Sequence, residues 1–147
     1  MLPKGILFDL DDTILAYSAV AEPTWRRVCT DFSGHLDSVA PDKLYQTIHN
    51  VSGWFWSDKE RHKNGRRDLH LARRVIVSQA FQDLGLPDLS LAHKLADTFS
   101  DQREEEVYIF EKAEETLNYL TGQNIRLALM TNGEAEKQRN KVIFGRE

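Results

Sequence analysis

A single cysteine, Cys29, stands among the 147 residues, so no internal disulfide can form and a cystine-stapled scaffold is excluded. That usage fits a reducing compartment, and a cytoplasmic location is the expectation. No apolar run approaches the about 20 residues that cross a bilayer. The stretch Gly5-Ile6-Leu7-Phe8 is stopped at once by acids, which is too short for the apolar centre of a signal peptide. Positive charge is in short supply as well. Nineteen Lys and Arg against 23 Asp and Glu leave a net charge of −4, which excludes a general nucleic-acid binder held by charge. Neither a membrane nor a nucleic-acid partner is therefore expected. Internal repeats and low-complexity segments are missing too. What remains is an ordinary globular composition, 41% hydrophobic and 10% aromatic, at a length typical of one domain.

The hydrophobic pattern divides the chain. Ile6-Leu7-Phe8 predicts a short parallel strand buried on both faces, because it is a continuous apolar run bounded by turn-forming residues. From about 18 to 107 no strand is expected. Helices are predicted from Pro23 through Trp25, Val28 and Phe32, and from Pro41 through Leu44 and Ile48. A third spans about 68–84 with Leu71, Val75, Phe81 and Leu84 at helical spacing, and a fourth runs from Ser90 through Leu95 and Phe99. Then Ala113–Leu120 predicts a helix with Leu117 and Leu120 inward, Ile125–Met130 a second strand, and the residues through Val142 to Phe144 a last helix. Strand, helix, strand in this order makes a βαβ unit with parallel strands and a right-handed crossover. The expected fold class is α/β, a Rossmann-like core over 1–16 and 108–147 with an all-helical insertion over 17–107.

The chemistry is concentrated where open α/β sheets bind ligands, beyond the carboxyl ends of the strands. The first predicted strand runs into Asp9-Leu10-Asp11-Asp12-Thr13, and the second into Thr131-Asn132-Gly133. Three carboxylates in four residues after a buried strand are electrostatically costly, and a cation is the simplest compensation. Mg²⁺ prefers oxygen ligands and keeps some of its waters, so it suits a site with few carboxylates. One carboxylate can attack phosphorus, a second can protonate the leaving oxygen and later activate water, and a hydroxyl and an amide can donate to phosphoryl oxygens.

These residues carry a resemblance. Phe8-Asp9-Leu10-Asp11-Asp12-Thr13-Ile14-Leu15 resembles the first motif of the haloacid dehalogenase-like (HAD) superfamily, and Leu129-Met130-Thr131-Asn132-Gly133 its second. Gln138-Arg139, Lys141 and Phe144-Gly145 make the stretch from Thr131 similar to the small-molecule phosphatase branch. The resemblance covers about 1–16 and 108–147; the helical block matches the family's cap in position and helicity alone. It implies Asp9 as nucleophile and Mg²⁺ ligand, Asp11 as general acid and base and a Mg²⁺ ligand through its backbone carbonyl, and Thr131 with Asn132 as phosphoryl-binding residues. The acid at position 11 is the phosphatase form of the motif; the dehalogenases of the family generally lack it. The expected function is hydrolysis of a small phosphorylated metabolite through an aspartyl-phosphate, with Mg²⁺ as cofactor. A haloacid dehalogenase, and a truncated, weakly catalytic remnant that binds a partner, are the alternatives.

Two further motifs of the family, a lysine and a late acidic pair, are not found before Glu147; Lys137 and Lys141 match the lysine by type only. Two parallel strands do not make an independent sheet. The expectation is that a C-terminal segment or a second copy of the chain completes it. Elsewhere, Asp58–Arg74 holds seven Lys or Arg against three acids, read as a solvated helix face, and Trp54-Phe55-Trp56 is read as packing. The five histidines show no zinc-ligand spacing, and Cys29 is expected to be a buried small apolar residue.

Overall fold

The structure, a computed structural model, describes residues 2–36, 39–131 and 139. In chain order the elements are β1 (Gly5–Phe8), β2 (Leu15–Ala16), α1 (Ala21–Ser33), α2 (Pro41–Ser57), α3 (Lys59–Gly65), α4 (Leu69–Asp83), α5 (Leu89–Glu106), β3 (Tyr108–Ile109), α6 (Ala113–Gly122) and β4 (Arg126–Leu129). This is an α/β chain, mostly helical, that divides into two compact units: 1–20 with 106–147, and 21–105.

The α/β unit is built on β1 and β4, which pair in parallel with Gly5 opposite Arg126 and Phe8 opposite Leu129. The helix α6 provides the crossover that parallel pairing requires. A second ladder is antiparallel, with Leu15 opposite Ile109 and Ala16 opposite Tyr108. Leu10, Ile14 and Leu15 form the buried centre, and Phe8, Val107, Ile109, Ala113 and Leu117 pack on it. The expected burial of the first strand on both faces is not found. Ile6 and Phe8 are half-buried, whereas Leu7, pointing the opposite way, is 66% exposed. Alternate strand residues face opposite sides of a sheet, and among the described residues the unit's apolar side chains gather on the Phe8 side. The β2–β3 ladder also escapes periodicity, because two residues per strand give no period to count.

The helical unit has explicit start signals. Pro41 opens α2, where a missing N–H costs nothing. The Asp58 carboxylate accepts from Arg61 N (2.9 Å) at the start of α3, and Asp68 accepts from Leu71 N (2.9 Å) at the start of α4. Gly85 closes α4 with φ +70°, a conformation that side chains with a Cβ disfavour, and lets Leu86 N donate to Phe81 O at 2.8 Å. Gly65 has a different reason: a Cβ there would meet Phe55 and Trp56 ring atoms at 2.8 and 2.9 Å.

The core of this unit joins Val28 and Phe32 of α1, Leu44, Ile48 and Phe55 of α2, Ile76, Val77 and Phe81 of α4, and Leu95 and Phe99 of α5. Trp25 stacks on Phe99 with ring centroids 3.6 Å apart. Cys29 is fully buried, and that burial pushes its thiol up to about 12. Two sequence expectations need correction. The inward stripe of α4 is Ala72, Ile76, Val77, Ala80 and Phe81, so Leu71 (57% exposed) and Val75 (45%) face outward. Both instead line an open surface groove of about 540 Å³ with Leu86, Pro87 and Leu89. Of the three aromatics at 54–56, Phe55 is buried and Trp56 packs on the core, but Trp54 is exposed beneath the Arg61 guanidinium, 3.8 Å from its ring centroid.

Candidate active site

The parallel register brings the carboxyl end of β1 beside that of β4. Pairing continues one step past the strands, since Met130 N donates to Phe8 O at 2.8 Å. Asp9 therefore begins where β1 ends, and Thr131 follows directly on Met130 at the neighbouring strand tip. Asp9 is exposed, while Asp11 and Thr131 are half-buried. Asn132 lies outside the described residues, as do Lys137, Lys141 and the expected helix through Val142 to Phe144.

The acids keep this place because of what lies between them. Leu10 is 2% exposed and anchors the unit's core. Its carbonyl oxygen accepts from three successive amides, Thr13 N (3.4 Å), Ile14 N (3.0 Å) and Leu15 N (3.0 Å), which closes a tight turn. Ile14 and Leu15 return to the core with Leu10. With the apolar members of the segment turned inward, Asp9, Asp12 and Thr13 are left exposed on the turn.

Asp12 differs from Asp9 and Asp11 in its backbone. Its backbone has φ +60°, the left-handed region, which costs a residue with a Cβ about 1–2 kcal/mol. Asp tolerates that region better than most and bonds to its own loop. Here Asp12 N donates to Leu15 O (2.7 Å), and its Oδ1 accepts from Tyr17 N (3.1 Å) and Ser18 N (2.7 Å). Its Oδ2 accepts from Ser18 Oγ (2.5 Å). The third carboxylate of the cluster thus has local partners within the chain. Sequence reasoning, which counted three acids awaiting a cation, missed this. The available signal was an Asp in a turn with amides to bind a few residues on.

Among the described residues no group of three or more His, Cys, Asp and Glu is arranged to hold a metal ion. Also among them, no helix is long and apolar enough to cross a membrane.

A parallel strand pair with carboxylates after one strand and a threonine after the other is the layout of an open α/β fold with a ligand site at its strand ends. The comparison with protein families makes this specific: the haloacid dehalogenase-like hydrolase family matches residues 3–144, and the chain belongs to that family. Its fold is similar to L-2-haloacid dehalogenase from Xanthobacter autotrophicus (TM-score 0.51, 20% identity, 97% of this chain and 51% of that one). It is also similar to 2-haloacid dehalogenase from Pseudomonas syringae pv. Tomato DC3000 (0.51, 25%, 94% and 59%). A predicted phosphoglycolate phosphatase from Haemophilus somnus 129pt gives 0.49, 15%, 96% and 56%. The chain spans little more than half the length of these proteins. No curated protein matches it.

Proposed function

We propose that the chain carries the nucleophile and the acid–base group of a Mg²⁺-dependent phosphatase acting on a small phosphorylated metabolite. The observation that carries this is Asp11, a second carboxylate two residues beyond Asp9 on the turn that ends β1. An alkoxide leaving from phosphorus needs a proton, and a halide leaving from carbon does not. A second carboxyl group beside the nucleophile therefore suits an ester.

In this reading an Asp9 oxygen attacks phosphorus while Asp11 gives its proton to the departing alcohol oxygen, whose bond to phosphorus breaks. An aspartyl-phosphate on Asp9 results. Asp11, now ionised, takes a proton from water; the water oxygen bonds to phosphorus, and the bond to Asp9 breaks to release phosphate and restore both carboxyl groups. Thr131 and Asn132 would donate hydrogen bonds to the transferring phosphoryl oxygens, where charge stabilisation matters most. Asp9, through its carboxylate, and Asp11, through its backbone carbonyl, are hard oxygen donors of the kind Mg²⁺ takes, and two protein ligands fit an ion that keeps several waters. Bound there, Mg²⁺ supplies positive charge that offsets the acids and the phosphate. The helical residues 17–107 are proposed as a cap that admits substrate and then excludes water.

The test is product analysis with the full-length protein and Mg²⁺. Phosphate release from an aryl phosphate, lost by about 10⁴-fold or more in Asp9→Asn, is the expected result. Chloride release from a 2-haloacid without phosphate release would select the dehalogenase reading. Wild-type turnover by Asp9→Asn would remove the nucleophile assignment.

A further inference from the structure

We infer that Asp12 is a positioning residue for the two reacting carboxylates: its side chain clamps the turn on which Asp9 and Asp11 stand. The inference rests on the reading of Asp9 and Asp11 given above. Three layers hold this turn. Leu10, Ile14 and Leu15 are buried beneath it. The Leu10 carbonyl gathers the amides of 13, 14 and 15 within it. Outside, the Asp12 carboxylate ties the turn to Tyr17 N and Ser18 N at 3.1 and 2.7 Å, and to Ser18 Oγ at 2.5 Å.

The outer layer is the one built by a polar side chain next to a reacting group, since Asp12 is joined directly to Asp11 and Leu10, joined to both Asp9 and Asp11, packs inward. Its bonds are made to a charged acceptor, the stronger kind. They also reach residues five and six positions on, past β2, so they fix the whole loop rather than one peptide. The left-handed backbone at Asp12 needs such fixing: φ +60° at a residue with a Cβ persists where its surroundings impose it. Asp12 touches no reacting atom in this account. It sets where the neighbouring carboxylates stand, and reacting groups misplaced by about 1 Å can lose about 10²-fold in rate.

The experiment compares Asp12→Gly, Asp12→Asn, Ser18→Ala and Asp9→Asn in the full-length protein, assayed with an aryl phosphate and Mg²⁺. Glycine keeps the backbone conformation and removes the clamp, so folding is preserved while positioning is not. Asparagine keeps an oxygen for the two amides, and the Ser18 hydroxyl can turn to accept from its NH₂. The expected result is a kcat lower by about 10²-fold in Asp12→Gly with KM within about threefold. Asp12→Asn is expected to recover to within about tenfold of wild type with an unshifted pH profile, and Ser18→Ala to fall between the two. A kcat for Asp12→Gly within threefold of wild type would overturn the proposal. So would a loss confined to KM, or an Asp12→Asn as poor as glycine, since the negative charge itself would then be required. Full activity in Asp9→Asn would instead remove the reading on which the clamp depends.

Discussion

The two units of this chain are stabilised very differently. The helical unit buries large side chains from four helices in one cluster, with Phe81, Phe99, Leu44, Ile48 and Leu95 almost wholly out of water. Among the described residues of the α/β unit, Leu10, Ile14, Leu15, Ala16, Val20 and Ile125 are the buried hydrophobics, and Leu7, Leu129 and Met130 of its paired strands and their ends stay exposed. Yet the residues proposed to react sit on the second unit, on a turn held by hydrogen bonds as much as by packing. In the proposed reading, stability and reactivity are thus concentrated in different stretches of one sequence. A segment can present several carboxylates to solvent because little of its own core depends on them.

That contrast can be broken or sharpened by measurement. The largest stability effect is expected for Phe99→Ala, which removes a fully buried ring stacked on Trp25; about 3–5 kcal/mol should be lost in denaturant unfolding followed at helical-unit amides by hydrogen exchange. A loss below 1 kcal/mol would show that the helical cluster is not the stabilising centre.

A smaller, pH-dependent effect follows from Cys29. Burial raises its thiol from 9.0 to about 12, so the folded state disfavours the thiolate. A raised pKa gives stability that is fully present below 9 and is lost as pH rises from 9 towards 12. Unfolding midpoints should decline over that window, and Cys29→Ala should flatten the decline. Alkylation of Cys29 at pH 8 should track unfolding of the helical unit; rapid alkylation of the native protein would contradict the burial.

The smallest effect is expected for Leu7→Thr in β1, within about 0.5 kcal/mol, because the side chain is 66% exposed and threonine suits a strand. A loss of 2 kcal/mol or more in the full-length protein would mean that this face is covered there, and the difference between the units would shrink.

The placing of Asp9 and Thr131 at neighbouring strand tips was legible in the sequence, while Asn132 lies outside the described residues. Acids directly after an apolar strand, and Thr131 after a second one, are local signals, and the parallel pairing of β1 with β4 follows from the helix between them. The four long helices were legible from apolar spacing and from Pro23 and Pro41. The face of α4 was not, because Leu71 and Val75 outweigh Ala72 and Ala80 in any hydrophobic count, while the buried face carries those alanines with Ile76, Val77 and Phe81. The short helix α3 was hidden in a charged stretch whose Asp58 serves as its cap. The bonds of Asp12 were hidden for a related reason: acids within four residues look equivalent in sequence, and the amides of Tyr17 and Ser18 reach Asp12 only through the return of the chain.

The central claim is that Asp9 bonds to phosphorus. It is tested most directly by acid-quenching the full-length protein during turnover of a ³²P-labelled phosphate ester with Mg²⁺ and locating the label by peptide mapping. The account predicts label on the peptide that contains Asp9, released by hydroxylamine as an acyl phosphate must be, and absent in Asp9→Asn. Label on another residue, or turnover with no labelled protein in a quench fast enough to catch the intermediate, would contradict it.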